Sequence, residues 1–121
     1  MRTAVIVVAR VLLIATLAAV TWTSLSPADR LPATPNISDK VLHLAAYALL
    51  GVVATLAQRR PRVLLTIALL TAFGLVIEVL QGRTGYRDFD LRDLLADALG
   101  AAFGVLLVAV LRRPSDGTRS R

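Results

Sequence analysis

The sequence predicts an all-α integral membrane protein, a compact bundle of four transmembrane helices. Hydrophobic residues make up 56% of the 121 residues and the mean hydropathy is +0.69, which is too apolar for a typical water-soluble domain of this size. Four segments are also long enough to cross the hydrocarbon layer, which takes about 20 helical residues. These segments run over residues 4–25, 40–58, 63–81 and 91–111.

Helix-breaking residues separate the four segments. The first connection, SPADRLPATPNIS, has three prolines, the second, RRPR, has one, and the third, GRTGYRDFD, has two glycines. We therefore predict one domain over residues 1–111, followed by a basic polar tail over 112–121. A cleaved signal peptide is the alternative for the first segment, but the segment begins with mostly apolar residues and no A-x-A site precedes Pro27.

The distribution of charge predicts the orientation in the membrane. The N-terminus, the second connection and the tail are rich in arginine and hold one aspartate, Asp116: their arginines are Arg2, Arg59, Arg60, Arg62, Arg112, Arg113, Arg119 and Arg121. The first and third connections, with the adjoining helix starts, instead balance basic residues with aspartates. Because connections rich in Lys and Arg stay in the cytoplasm, we expect both termini on the cytoplasmic side of the bacterial cell membrane.

The net charge of +6 does not predict a nucleic-acid partner. The basic residues lie between long apolar runs, where the rule for membrane orientation explains them better than a nucleic-acid surface does. We therefore expect the lipid bilayer as a partner and no nucleic acid. The chain has no cysteine, which excludes disulfides, thiolate metal sites and cysteine nucleophiles.

Polar side chains lie at the ends of three predicted helices, where this orientation places the outer face of the membrane. The second helix begins with a stripe that covers roughly one third of its circumference at about 100° per residue: Asp39, Lys40, His43 and Tyr47. The third helix ends with Glu78 and Gln81. One face of the fourth carries three acids and two glycines at a spacing that lets helices pack closely: Asp90, Asp93, Asp97, Gly100 and Gly104.

These stripes predict a shared polar pocket in the outer third of the bilayer. A charged side chain costs about 2.5–3.5 kcal/mol at mid-membrane, and neither Glu78 nor Asp97 begins a helix, so both need a partner or a proton. We expect Glu78 to be ionised and paired with Lys40, His43 or Arg87, and Asp97 to be the acid that is neutral more readily. The alternative is a structural polar cluster that only fixes helix packing, and Asp90 is explained equally well as a helix N-cap.

Three spaced motifs resemble the VanZ-like family of small bacterial membrane proteins: DKVLHLAAYALLG (39–51), EVLQ (78–81) and RDFDLRDLLADALGAAFG (87–104). The matching positions are Asp39, Lys40, His43, Tyr47, Glu78, Gln81, Arg87 and Asp93. Where the family usually has asparagine, this chain has Asp97. The resemblance covers residues 22 to about 107, and it implies a cell-envelope protein in a family named for a protein associated with teicoplanin resistance.

The predicted function is binding of an amphipathic ligand in the outer leaflet, such as a lipid-linked envelope precursor or a lipid-tailed antibiotic. Lys40, His43 and Arg87 suit a phosphate or carboxylate, whereas Glu78, Asp93 and Asp97 suit amines and hydroxyls. Asp39, Tyr47 and Gln81 complete the expected ligand-binding set. A catalytic version would use His43 or Glu78 as general base, with Lys40 and Arg87 stabilising developing negative charge.

Other functions remain as alternatives. A non-catalytic accessory or assembly protein would need the polar cluster only for packing, and a small transporter is disfavoured because the polar residues do not continue to the cytoplasmic side. His43 with Glu78 and Asp97 could bind a hard cation, but one histidine without a spacing motif does not predict it. The sequence therefore predicts no metal and no cofactor, and it leaves the oligomeric state open.

Overall fold

A computed structural model describes residues 2–30 and 38–113, which form four long α-helices. They are α1 (Arg2–Leu25), α2 (Asp39–Leu56), α3 (Val63–Arg83) and α4 (Leu91–Leu111), and a single 3-10 turn, Ala28–Arg30, follows α1. Each α-helix is long and apolar enough to cross a membrane. No strand occurs in the described ranges. The all-α class and the four predicted segments are confirmed, and they indicate a multi-pass membrane protein.

Part of the predicted sequence organisation lies outside the described residues. This applies to positions 31–37 of the first connection and to positions 114–121 of the predicted basic tail.

Local polar contacts set the helix boundaries. The Ser38 hydroxyl accepts a hydrogen bond from Val41 N at 3.3 Å, and the Asp90 carboxylate accepts one from Arg92 N at 2.8 Å, so these residues cap α2 and α4. The second predicted helix ends at Leu56 rather than at 58, because hydrogen bonds of the Gln58 side chain stabilise a turn between α2 and α3. Its amide donates to Thr66 Oγ1 at 2.8 Å and accepts from Arg62 N at 3.0 Å.

The third predicted helix extends two residues further than expected, to Arg83. Gly82 continues the helix, and Thr84 then ends it through two hydrogen bonds to the Gln81 carbonyl, from Thr84 N at 3.2 Å and from Thr84 Oγ1 at 2.7 Å. Such bonds satisfy a terminal carbonyl that has no partner within the helix.

Glycines bring α2 and α4 into close contact. A Cβ atom on Gly100 would overlap the Leu44 carbonyl oxygen, and one on Gly104 would overlap that of Ala48. On the facing helix, a Cβ on Gly51 would lie 2.6 Å from the Ala101 carbonyl oxygen. Since no side chain separates the two backbones here, the polar residues one or two turns away on each helix are also held close together.

The buried apolar core lies along the α2–α4 contact and is covered by α1 and α3. It consists of Val20, Tyr47, Leu50, Ala54, Leu70, Ala101 and Val105. Large apolar side chains on the outward faces remain exposed, among them Leu64 at 83% and Leu111 at 75%. An exposed apolar surface of this extent suits contact with lipid rather than with water.

Arginines bind backbone carbonyls at both ends of the bundle. We call the end that holds Leu25, Asp39, Arg83 and Leu91 the polar end, and the opposite end the arginine end. At the arginine end, the Arg112 guanidinium donates to the carbonyls of Thr55 and Gln58, each at 2.9 Å. Arg10 Nε donates to the Ala57 carbonyl at 3.2 Å. These bonds attach α4 and α1 to the end of α2.

Candidate functional site

The polar residues of α2 meet the acidic face of α4 at the polar end. Lys40 Nζ lies 3.7 Å from Asp90 Oδ2 and 3.9 Å from Asp93 Oδ1. The Lys40 side chain is 48% exposed, so it forms the outer rim of this contact. One turn deeper, His43 Nε2 lies 3.7 Å from Asp93 Oδ2.

His43 connects this rim to a fully buried acid. Its other ring nitrogen, Nδ1, lies 2.7 Å from Asp97 Oδ1, and the Asp97 side chain has no exposed surface. Lys40, His43 and the α4 acids therefore form a ladder that runs from the surface into the bundle. A buried charge without a partner is energetically costly. The contacts of Lys40 and His43 with the acids therefore stabilise the packing of α2 against α4 as well as forming the site.

Glu78 reaches the ladder from α3. It is fully buried, and its Oε2 accepts a hydrogen bond from the backbone N–H of Asp90 at 3.2 Å. One of its carboxylate oxygens also lies within 4.8 Å of a His43 ring nitrogen and an Asp93 carboxylate oxygen. The three helices α2, α3 and α4 thus meet at one group of polar side chains, which we call the polar cluster: Lys40, His43, Tyr47, Glu78, Asp90, Asp93 and Asp97.

The predicted ion pair of Glu78 with Lys40, His43 or Arg87 is wrong. Lys40 lies within 4.0 Å of Asp90 and Asp93, and His43 contacts Asp93 and Asp97. The Arg87 guanidinium contacts backbone carbonyls at the end of α1. The physical reason is the packing of the bundle. The close contact at the glycines places α2 directly against α4. Lys40 and His43 therefore lie closer to the acids at the start of α4 than to Glu78 on α3.

Tyr47 forms the inner boundary of the cluster. Its side chain is 1% exposed, and its ring packs against Phe73 with 6.1 Å between the ring centroids. A Cβ atom on Gly74 would lie 3.0 Å from Asp97 Oδ2 and 3.4 Å from Tyr47 Cε1. The glycine at this position of α3 therefore leaves room for the Asp97 carboxylate beside the tyrosine ring.

A family comparison adds to this geometry. The family model described as VanZ/LLP1 matches residues 5–112, which includes all four helices almost completely. The chain belongs to the VanZ/LLP1 family. This result confirms the resemblance that the three motifs indicated. No curated protein and no solved structure gives a significant match.

Four buried side-chain oxygens of this VanZ/LLP1 member have no hydrogen-bond partner among the described residues, and all four belong to the polar cluster: Tyr47 Oη, Glu78 Oε1, Asp93 Oδ1 and Asp97 Oδ2. Buried polar atoms in folded proteins nearly always have a partner, so several such atoms in one place are unusual. Three of the four are carboxylate oxygens, which accept hydrogen bonds or bind cations. The cluster is therefore rich in acceptors and poor in donors.

Two predicted site residues of the VanZ/LLP1 chain bind α1 instead of joining the cluster. Gln81 Nε2 donates to the Ser24 carbonyl at 2.9 Å. The Arg87 guanidinium donates to the Ser26 carbonyl at 3.1 Å and to that of Thr23 at 3.4 Å. Both side chains satisfy carbonyls at the C-terminal end of α1, where intrahelical donors are missing. The positive charge of Arg87 thus lies beside the partially negative carbonyls at the C-terminal end of α1, and not beside an acid of the cluster.

Asp39 also lies apart from the cluster. It is exposed at the first turn of α2 and makes no side-chain hydrogen bond or ion pair with the described residues. Negative charge at this position suits the positive end of the helix dipole.

The structure gives Asp90 two roles that the sequence offered as alternatives. It is the N-cap of α4, and it also lies beside Lys40 in the polar cluster. The three-residue spacing of Asp90 and Asp93, one above the other on α4, was the available signal. Tyr86 donates to the Leu25 carbonyl beside the Arg87 contacts, and nothing in the sequence pattern indicated this bond.

Two apolar grooves lie on the surface away from the polar cluster. One has a volume of about 300 Å³ and runs between the first turns of α1 and the end of α2, against Val53 and Leu56. The other has a volume of about 630 Å³ and follows the last turns of α1 from Leu17 to the adjoining Ser26. Most of the polar cluster is buried, and its most exposed members are Lys40 and Asp90.

Proposed function

We propose that this chain is a cell-envelope membrane protein whose polar cluster binds the head group of an amphipathic or lipid-linked ligand in the outer leaflet. The polar end faces outward in this proposal, and both termini are cytoplasmic. A lipid-linked envelope precursor and a lipid-tailed antibiotic are the two ligand classes that fit. The second class gives the proposed link to glycopeptide (teicoplanin) resistance.

The observation that carries this proposal is the set of buried oxygens without a hydrogen-bond partner. A cluster that served only to hold the helices together would satisfy its own polar atoms, because each unsatisfied buried group costs about 1–3 kcal/mol. Here Glu78 and Asp97 each direct one oxygen to a described partner and leave the other without one. Amine and hydroxyl groups of a ligand would supply the missing donors.

The rim of the cluster supplies the complementary charge. Lys40 is half-exposed and is held at 3.7 and 3.9 Å from two aspartates, distances at which the ammonium group still has hydrogen-bonding capacity for an anion. A phosphate or carboxylate next to Lys40 would leave the amines and hydroxyls of the same head group facing the acids below it. The hydrocarbon part of such a ligand needs no protein pocket, since the bilayer solvates it.

A catalytic version of this function rests on His43. Because Nδ1 is engaged by Asp97, a histidine that carries its proton on Nδ1 leaves Nε2 as the basic nitrogen. Nε2 lies on the side of Asp93, toward the rim. Of the two general bases that the sequence suggested, His43 therefore has the better geometry, since Glu78 Oε2 already accepts a backbone hydrogen bond.

The alternative is an accessory or assembly protein with a structural cluster. One contact favours it: the bond from Asp90 N to Glu78 joins α3 to the start of α4, as a packing element would. The two functions differ in what substitutions do. Loss of a packing element lowers stability, whereas loss of a binding site removes the ligand from a protein that still folds.

Lipids that co-purify with the protein test the proposal. We expect mass spectrometry of the protein extracted in a mild detergent to show enrichment of one lipid-linked class over the bulk membrane lipids. Lys40→Met and Asp93→Asn should remove that enrichment without changing the yield of folded protein. Asp88→Asn is the matched control, because it removes an exposed acid at the same end of the bundle outside the cluster.

Two results would count against this function. One is wild-type protein that carries only bulk lipids, in bulk proportions. The other is loss of thermal stability in Lys40→Met and Asp93→Asn with retention of the enriched lipid, which is the result that the structural alternative predicts.

A further inference from the structure

Three side chains of the polar cluster have the arrangement of metal ligands. One ring nitrogen of His43, one carboxylate oxygen of Glu78 and one of Asp93 all lie within 4.8 Å of one another. Ligand atoms that share an ion at about 2.0–2.2 Å are roughly 3–4 Å apart, so small side-chain rotations would bring these atoms to one ion. The three residues come from α2, α3 and α4, and the site would therefore bridge three helices.

The burial of Glu78 gives a second, independent reason. Its side chain has no exposed surface, and its Oε1 has no hydrogen-bond partner among the described residues. Asp93 Oδ1 is also a buried atom without a hydrogen-bond partner, although the Asp93 side chain is 16% exposed and the Lys40 ammonium lies 3.9 Å from this oxygen. An ionised carboxylate that is buried without a partner is strongly unfavourable, and a bound cation removes that cost.

Asp97 supplies the outer support that metal-binding histidines usually have. A histidine that binds a metal through one ring nitrogen commonly donates the other N–H to a carboxylate, which fixes the ring and raises its basicity. His43 Nδ1 has such a partner, Asp97 Oδ1 at 2.7 Å, and its Nε2 lies on the side of Asp93 at 3.7 Å. The sequence suggested Asp97 itself as a possible cation ligand, whereas the geometry makes Asp93 the ligand and Asp97 its support.

The charge balance also favours a divalent ion. Glu78, Asp93 and Asp97 face one neutral or singly charged imidazole, while Lys40 lies at the exposed rim. A divalent cation would offset the excess of negative charge at the point where the three helices meet.

We propose that His43, Glu78 and Asp93 bind a divalent first-row transition-metal ion, for which Zn²⁺ is the test ion, and that Asp97 positions the histidine. The mixture of one imidazole and two carboxylates suits Zn²⁺ or Mn²⁺ better than Mg²⁺, which prefers oxygen ligands and retains its waters. Three protein ligands would leave a four-coordinate ion one position for water or a ligand atom. Metal binding does not depend on the proposed amphipathic ligand, although both would use the same cluster.

The experiment uses the full chain, purified in detergent through an affinity tag that contains no histidine. The protein is stripped with EDTA, dialysed against Zn²⁺ and analysed for metal per chain, and its affinity is measured by competition with a chromogenic chelator. We expect one equivalent of Zn²⁺. Glu78→Gln and His43→Ala should each weaken binding by more than about 100-fold, and Asp97→Ala by about 10- to 100-fold, as is usual for outer-shell partners.

Controls separate metal binding from folding. Asp29→Asn and Asp88→Asn remove exposed acids at the same end of the bundle, and they should retain one equivalent of Zn²⁺ with unchanged affinity. Circular dichroism and thermal unfolding of each stripped variant show whether it folds. The proposal does not depend on the variants alone, since folded wild-type protein that binds no stoichiometric Zn²⁺ overturns it.

Two further results discriminate between the proposals. Zn²⁺ bound with wild-type affinity by both Glu78→Gln and His43→Ala would also overturn the metal site. If EDTA-stripped protein keeps its enriched lipid and binds no Zn²⁺, the metal site fails and the proposed function stands. If the protein binds one Zn²⁺ and carries only bulk lipids, the proposed function fails and the metal site stands.

Discussion

His43 Nδ1 lies 2.7 Å from Asp97 Oδ1, and this contact joins α2 to α4 at a point where the Asp97 side chain has no exposed surface. It is the shortest of the contacts that connect the charged groups of the two helices. Since the family resemblance leads one to expect asparagine at this position, the aspartate makes the contact stronger and also adds a potential charge. The partner of His43 is therefore a position at which this chain departs from the pattern that the resemblance implies.

Asparagine at this position should preserve most of the stability, whereas alanine should not. The amide oxygen of Asp97→Asn can still accept a hydrogen bond from His43, so we expect a loss of at most about 1.5 kcal/mol in the free energy of unfolding. Asp97→Ala removes the partner of His43 Nδ1 altogether and leaves only the more distant contact with Asp93, so it should cost more, about 2–3 kcal/mol. Reversible unfolding in mixed micelles measures both values, with the exposed Leu99→Ala as control. Equal losses for the two variants would show that the hydrogen bond does not stabilise the fold.

Replacement of a packing glycine of α4 with alanine should lower the free energy of unfolding. A Cβ atom at Gly104 would overlap the Ala48 carbonyl oxygen and lie 2.9 Å from Val52 N. Because the obstacle is backbone rather than a flexible side chain, α2 and α4 must move apart, and we expect Gly104→Ala to lose at least about 1–3 kcal/mol. Ala72→Val, an addition on an exposed face of α3, should change the free energy of unfolding by less than about 0.5 kcal/mol. Unfolding in mixed micelles again provides the measurement, and an unaffected Gly104→Ala would contradict the close contact.

The fold was predictable because its signals are local. Apolar length, proline and glycine in the connections, and the predicted N-cap Asp90 place the four helices to within two residues. The close approach of α2 and α4 also has a local signal, the spacing of Gly100 and Gly104. What these signals do not contain is the rotation of each helix about its axis relative to the others.

That rotation decides which polar groups pair, and it explains the wrong expectation for Glu78. A helical projection shows that Lys40 and His43 share a face, but not whether this face meets α3 or α4. The reach of Arg87 was also unpredictable, since a flexible arginine in a connection can bind an acid or a helix end. The structure directs it to the carbonyls of Thr23 and Ser26.

The arginine end provides a comparison between neighbouring residues. Arg112 donates hydrogen bonds to the carbonyls of Thr55, Gln58 and Arg59, whereas the exposed Arg113 side chain makes none with the described residues. Arg112→Gln should therefore release the end of α2 and lower stability by roughly 1–2 kcal/mol, and Arg113→Gln should not. Hydrogen–deuterium exchange over residues 55–62 should become faster only in the first variant. Equal exchange in the two variants would mean that the three bonds contribute nothing to the end of the helix.

Orientation in the membrane is the last prediction, and the outward position of the polar cluster depends on it. The chain has no cysteine, so single cysteines can be introduced without a background. Asp29→Cys and Asp88→Cys lie in exposed connections at the polar end, and Arg60→Cys lies in the exposed connection at the arginine end. Positive charge retained in the cytoplasm predicts that a membrane-impermeant maleimide labels the first two in intact cells. Arg60→Cys should react only after the membrane is permeabilised, which also proves that the thiol is accessible.

Labelling of Arg60→Cys in intact cells, with protection of the other two, would place the polar cluster on the cytoplasmic side. An outer-leaflet ligand could then not reach it, whereas the geometry of the proposed metal site would be unaffected.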